Sequence, residues 1–331
     1  MAKHIMRTNS CRVSALAFVI VAGVSTVGSS GSAQTYPARP IKAITDVGPG
    51  GTYDIFVRAL GEALHKRWGQ PVVVEPRPGG NFIIGGRACA EAVPDGYALC
   101  VLSRQTLAAN EFLYKKIPYS PGSFVPIMNL LYNTQVIFAN ASLNVRTLDD
   151  LAALAKAQPK TLSYSAAGIF QRVFFDRFNQ RHGTDLVNVP FKGGGESLTG
   201  VLTGFTPIAF IGGANFAPYV QEGKMVALAV DADERSPLFP DTPTFAEIGY
   251  PDTLSRSYLS LVAPAGVPQD IIARVHREVS DVMNDKDFRK RNLTDRGLAP
   301  IVDSPEQFSR FLEKDRMSIR AVVKEAGIDP R

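Results

Sequence analysis

Three short stretches of this sequence could hold an anion through backbone N–H groups. In Asp46-Val47-Gly48-Pro49-Gly50-Gly51-Thr52-Tyr53-Asp54 an apolar run, Ile41 to Val47, leads in and an amphipathic run, Ile55 to Leu64, leads out. The pattern reads strand, glycine turn, helix. Gly50 and Gly51 allow conformations that a side chain would oppose. The first helical turn behind them offers free N–H groups and the positive end of a helix dipole. Ser165-Ala166-Ala167-Gly168 repeats the design in the second half of the chain, and Lys192-Gly193-Gly194-Gly195 makes a third junction. Ser103 ends another apolar run and Ser165 could offer a hydroxyl to a ligand oxygen. Each feature also has a plain reading. The glycine junctions can be tight turns, Asp54 and Ser165 can be caps, and Lys192 can be a solvated surface lysine.

Reactive groups are scarce around these loops. The sequence lacks GxSxG, HExxH and GxxxxGK[ST], and Gly48-Pro49-Gly50-Gly51 fails GxGxxG because Tyr53 stands where the third glycine belongs. His65, His182 and His276 fall on stretches that read as exposed helices, away from the strand ends. Asp54 is the lone acid at an expected cleft loop, and acid–base chemistry normally needs more. Abundant backbone donors with few reactive groups favour holding a ligand over converting it, so the expectation is a non-enzyme with no cofactor. A secreted hydrolase using Asp54 and Ser165 is the alternative of a different class. No metal site is expected, because two cysteines cannot make a structural zinc site alone and the histidines are scattered.

The N-terminal segment reads as a secretory signal peptide over residues 1–33. Lys3, Arg7 and Arg12 precede a small-residue apolar core, Val13 to Val27, and Gly31 and Ala33 suit cleavage after Ala33. Its removal lowers the formal net charge from +5 to +2. No basic run or basic-aromatic interleaving supports nucleic-acid binding. At 45% hydrophobic and 20% charged residues, the full chain is of ordinary globular composition. No later stretch is long and apolar enough to span a bilayer. The expected location is the periplasm and the expected state a monomer. Cys89 and Cys100 remain after cleavage. Export would permit a bridge, but one reads as helical and the other as strand. Two buried free thiols are the expectation, with the pairing left open.

Taken in order, Ile41–Val47, Pro71–Glu75 and Tyr97–Leu102 read as strands, each followed by a helical stretch. That repeat predicts a mostly parallel sheet with helices on its faces, and ligands at the carboxyl ends of strands. Val125 to Asn140 is a candidate strand passing from one domain to another. Thr147, with Asp149 and Asp150, signals a helix start. Phe174, Phe175 and Phe178 share a helical face and read as core. Tyr258 to Val262 reads as a strand returning to the first domain. Two amphipathic helices close the chain, one striped by Ile271, Ile272, Val275, Val279 and Val282, the other by Phe308, Phe311, Leu312, Val322 and Val323.

With these residues laid out, the chain resembles the Bug-type extracytoplasmic solute receptors, the substrate-binding components of tripartite tricarboxylate transporters. The likeness covers nearly the whole mature chain. It rests on Tyr36-Pro37-Ala38-Arg39-Pro40-Ile41, Pro49-Gly50-Gly51-Thr52-Tyr53-Asp54, Arg77-Pro78-Gly79-Gly80 with Ile84-Gly85, and Pro94-Asp95-Gly96-Tyr97. Val189-Pro190-Phe191-Lys192-Gly193, Asp241-Thr242-Pro243-Thr244, Ala263-Pro264-Ala265-Gly266 and Ala326-Gly327-Ile328 continue it. The resemblance implies an α/β chain of the type 2 periplasmic-binding-protein fold. Two α/β lobes are joined by two crossover strands, with a ligand cleft that closes by hinge motion. The lobes would be 34–137 with 257–331, and 138–256. It implies capture of a small organic carboxylate for membrane transporter subunits, or, alternatively, for a sensor protein. The ligand contacts carried over are Gly50, Gly51, Thr52 and Asp54 from one lobe and Ser165, Ala166 and Gly168 from the other, with Ser103, Lys192 and Gly193 besides.

The departures from the family pattern are specific. Asp46-Val47 replaces Pro-Phe, Pro76 replaces Asn, Val173-Phe174-Phe175 occupies a region that often carries His, Gly204-Phe205-Thr206-Pro207 loses an acidic position, and Tyr258 replaces Trp. The added aromatic and apolar character points to an aromatic or hydrophobic carboxylate rather than citrate. Asp46 would repel such a ligand unless it points away or is paired.

Overall fold

The computed structural model describes residues 36–330 apart from 167, 190, 192, 193, 233 and 251–256. The expected signal peptide, Lys192 and Gly193 lie outside the described residues. Two sheets organise the rest. The first has six strands, β1 (Ile41–Thr45), β2 (Val72–Pro76), β3 (Ala98–Ser103), β4 (Phe124–Asn133), β10 (Ser257–Pro264) and β11 (Leu298–Pro300), in the order β11-β4-β10-β3-β1-β2. The second has β5 (Gln135–Asn140), β6 (Ser163–Ala166), β7 (Val187–Asn188), β8 (Ile208–Gly212) and β9 (Met225–Asp231), in the order β7-β6-β8-β5-β9. The helices are α1 (Thr52–Trp68), α2 (Ile83–Ala90), α3 (Asn110–Leu113), α4 (Leu148–Ala157), α5 (Ile169–His182), α6 (Gly194–Thr203), α7 (Ala217–Gln221), α8 (Gln269–Asn284), α9 (Lys286–Asn292) and α10 (Pro305–Glu325).

Strand alternation divides the core of each lobe into two layers. On one face of the first sheet Ile41, Ala43, Leu99 and Val101 pack with Phe56, Val57 and Leu60 of α1 and Val275 and Val279 of α8. On the other, Ile44, Ala98, Cys100 and Leu102 pack with Cys89 of α2 and Phe308 and Leu312 of α10. The two closing helices therefore sit on opposite faces. In the second sheet Ile137, Ile208 and Phe210 meet α4 and the phenylalanines of α5, and Val136, Phe138 and Ala209 meet α6 and α7. Phe174, Phe175 and Phe178 are core, as their spacing predicts. Thr147 closes a capping box over α4: its hydroxyl accepts from the Asp150 N–H at 3.0 Å and its own N–H donates to the Asp150 carboxylate at 3.0 Å.

Three features differ from the sequence expectation. The first sheet is parallel only at β2-β1-β3; β10 runs antiparallel to both β3 and β4, and β11 antiparallel to β4. The strands that leave and re-enter the lobe impose the opposite direction. The apolar stretch 125–140 is two strands: β4 belongs to the first sheet, β5 to the second, and Thr134 alone separates them. The free-thiol expectation is also overturned, since Cys89 and Cys100 form a disulfide, 11 residues apart in sequence. Each cysteine is fully buried in the layer between α2 and β3. A helix laid back over its neighbouring strand brings the two sulfurs together, a proximity that linear spacing does not reveal.

Candidate functional site

The first glycine junction closes on itself. Gly50 takes φ +80°, where glycine is favoured, whereas Gly51 is extended at φ −80° and needs no such freedom. Asp54, at the third position of α1, is buried and accepts from the Gly50 N–H at 2.9 Å and from Arg58 Nε at 2.9 Å. Burial alone would raise the Asp54 pKa, but the Arg58 and Gly50 hydrogen bonds outweigh it and hold the carboxyl below its ordinary value. Thr52 Oγ1 reaches across to Asn215 Oδ1 of the other lobe at 3.3 Å.

Asp46 stands just before this loop and is buried behind it. Its Oδ2 accepts from the Ser103 N–H at 2.9 Å, the Ser103 hydroxyl at 2.7 Å and the Thr106 hydroxyl at 2.5 Å. Burial pushes its pKa up to about 6, with these hydrogen bonds restraining the rise. The neighbouring helix sits so close that a Cβ on Gly85 would lie 2.5 Å from Asp46 Cα. These three donors hold the Asp46 carboxyl, but none of them is a cation, so its charge is hydrogen-bonded rather than paired.

Beyond Ser103 the chain makes a π-helical turn, Gln105–Ala109, pinned by Asn110. The Asn110 amide nitrogen donates to the Asn81 carbonyl at 3.0 Å, and its Oδ1 accepts from Gln105 Nε2 at 2.7 Å. Asn81 and Phe82 both adopt left-handed conformations, φ 53° and 69°, which are uncommon for such residues. The Asn110 bond to the Asn81 carbonyl holds this turn. Arg104 is buried, gripped by Asp315 of α10 at 2.9 and 2.6 Å and covered by the Phe170 ring of α5 at 4.3 Å from its centroid. Tyr258 donates to the same aspartate at 2.8 Å.

In the second lobe α5 begins at Gly168 with no side-chain cap. Gln171, at its third position, donates to Gln135 Oε1 at 3.2 Å. Ser165 is buried with its hydroxyl 2.5 Å from that of Ser197. Between the lobes lies a cavity of about 180 Å³. Val47, Tyr53, Phe82, Ser103, Arg104, Gln105, Asn133 and Ser257 line it from the first lobe; Gln135, Gly168, Phe170, Gln171, Ile211 and Gly212 line it from the second. Of the residues the sequence singles out, Ser103 and Gly168 line this cavity. Gly50, Gly51, Thr52, Asp54, Ser165 and Ala166 do not, although Val47 and Tyr53 of the first loop do. Asp54 and Ser165 are engaged by Arg58 and Ser197, so neither stands as a free reactive group in the cavity. His182 and His276 are half-buried and bonded to the Tyr250 hydroxyl and the Asp303 carbonyl, and no histidine lines the cavity.

Phe82, Gln105, Asn133, Gln135, Phe170 and Gln171 are cavity residues that sequence reasoning missed. Only Gln171 carried a signal, its third place in a helix that follows a small-residue loop. Among the described residues no helix is long and apolar enough to cross a membrane, and no group of His, Cys, Asp and Glu could hold a metal.

Comparison with known proteins agrees with this architecture. A family model described as "Tripartite tricarboxylate transporter family receptor" matches residues 56–328. Protein BugT of Bordetella pertussis is 31% identical over 314 residues, covering 94% of this chain and 95% of its own length. The solved structure of R. palustris Rpa4515 with adipate superposes with a TM-score of 0.82 at 25% identity, covering 89% of this chain and 100% of that one. MatC from Rhodopseudomonas palustris, with bound malate, gives a TM-score of 0.75 at 26% identity over 87% of this chain and 100% of that one. The two α/β lobes, the crossovers between their sheets and the cavity they enclose are thus those of a periplasmic-binding-protein fold, and the chain belongs to the Bug-type tripartite tricarboxylate transporter receptor family.

Proposed function

We propose that this receptor is exported, loses residues 1–33 and captures a small organic carboxylate of aromatic or hydrophobic character in the periplasm. Membrane subunits of a tripartite tricarboxylate transporter then receive the ligand. The observation that carries the reading is the mouth of α5. Its first turn opens at Gly168 without a side-chain cap, on a cavity whose other walls include Val47, Phe82, Phe170 and Ile211. Uncapped helical N–H groups favour an anion, and apolar walls favour a hydrocarbon body over a second or third charge. The adipate and malate in the two related structures support the carboxylate class. In this reading Ser103 and Gly168 touch the ligand directly. Gly50, Gly51, Thr52, Asp54, Ser165 and Ala166 form the surrounding frame.

Thermal melting with benzoate, adipate and citrate tests the proposal. Benzoate should raise the Tm in a concentration-dependent way, and adipate, with its second charge, by less. A rise with citrate alone would sink the apolar-carboxylate reading, and no rise with any acid would sink carboxylate capture.

A further inference from the structure

The cavity is polarised, and the bonds that polarise it can be traced to groups with a fixed role. Asp46 Oδ2 already accepts from the Ser103 backbone N–H at 2.9 Å, a group that can only donate, and so stands as the accepting oxygen. The single hydroxyl hydrogen of Ser103 is therefore committed to Asp46 Oδ2 at 2.7 Å. Any hydrogen bond this hydroxyl makes into the cavity is one it accepts. The same logic fixes Gln105. The Asn81 carbonyl can only accept, so Asn110 must turn its amide nitrogen there, at 3.0 Å. Asn110 Oδ1 then faces Gln105 Nε2 at 2.7 Å, which leaves Gln105 Oε1 as the end of that amide without this bond. Ser103 and Gln105 are two residues apart and both line the cavity. The donors lie elsewhere, at the Gly168 end of α5.

We propose that Ser103 and Gln105 form an acceptor subsite for a hydrogen-bond donor on the ligand. The preferred ligand is then a monocarboxylate bearing a hydroxyl or amino group at its far end, not a dicarboxylate. This deepens the carboxylate reading and rests on it. A second carboxylate placed at Ser103 and Gln105 would set acceptor against acceptor, with the buried Asp46 charge behind. A hydroxyl would satisfy both sides. A site that matches a ligand donor discriminates strongly against partners that leave its own polar groups unpaired.

The test is calorimetric titration at neutral pH with two matched series: benzoate, para-hydroxybenzoate and terephthalate, and hexanoate, omega-hydroxyhexanoate and adipate. The hydroxy acid should bind about tenfold or more tighter than the dicarboxylate of its series, a difference of about 1.4 kcal/mol or more. Ser103→Ala and Gln105→Leu should each shrink that ratio to about threefold or less. A dicarboxylate that binds as tightly as the hydroxy acid overturns the acceptor subsite and leaves carboxylate capture standing. A ratio unchanged in both variants also overturns it. If no acid of either series binds, the carboxylate reading and the subsite fall together.

Discussion

Two helix starts that look alike in the sequence behave as opposites in the structure. Both α1 and α5 follow a strand and begin at a glycine with extended backbone, Gly51 and Gly168, and neither glycine offers a side-chain cap. The third helical residue separates them. In α1 it is Asp54, which supplies its own negative charge to the turn and binds the Gly50 N–H. In α5 it is Gln171, a neutral amide engaged with Gln135. One helix start holds an anion of its own; the other opens on the cavity without one. A glycine loop before a helix is therefore a potential anion site, and a carboxylate three residues in decides whether the protein fills it.

Exchanging that single feature is the strongest way to break the comparison. Gln171→Glu places a fixed charge where α5 meets the cavity and removes a donor to Gln135. Carboxylate affinity should fall by roughly 100- to 1,000-fold, about 3–4 kcal/mol, by calorimetry on a variant whose circular dichroism is unchanged. Retained affinity would mean the ligand does not use this helix start. The two aspartates beside the first loop give the next test, because their pKa values move in opposite directions. Asp46 is raised to about 6, so the native state keeps its proton in a window where the unfolded chain has lost it. Stability at this group falls as pH rises between the ordinary carboxylate pKa and about 6, and the full cost stands above that. Relative to wild type, Asp46→Asn should gain about 3 kcal/mol between pH ~4 and pH ~7 in denaturant titrations. A difference that does not change with pH would remove the buried charge from the account. Asp54 is lowered, so its contribution is present above the ordinary carboxylate pKa and is lost as pH falls through the depressed folded value. The smallest effect expected is from Asp54→Asn, a loss of about 1–2 kcal/mol at neutral pH. Ligand affinity should stay within about threefold, since Asp54 does not line the cavity; a larger change would bring the first junction into the site.

The elements that repeat a physical pattern were legible beforehand. The stripe of α8, the capping box of α4 and the parallel trio β2-β1-β3 follow from periodicity and capping chemistry, and the lobed architecture follows from the ordered family motifs. The site was legible only in part. Ser103 and Gly168 stand at strand ends and could be found. Phe82, Gln105 and Phe170 are single residues with no period, brought together by the packing of separate elements. Asp46 was visible as an oddity, but its partners Ser103 and Thr106 lie 57 and 60 residues away. Charge in a sequence has no direction until the chain folds.

The Cys89–Cys100 bridge bears on when the receptor becomes rigid. Thiols stay reduced in the cytosol and pair after export. On the export proposed above, the chain lacks, until it crosses the membrane, the loop closure that the bridge adds, about 3 kcal/mol for a loop of this length. The same bond later fixes α2 on β3, and with α2 the entry turn that carries Phe82 to the cavity. If the chain is exported as proposed, the disulfide divides the life of the molecule in two: a looser chain suited to threading through a translocation pore, then a stiffened one able to present a constant shape to its ligand.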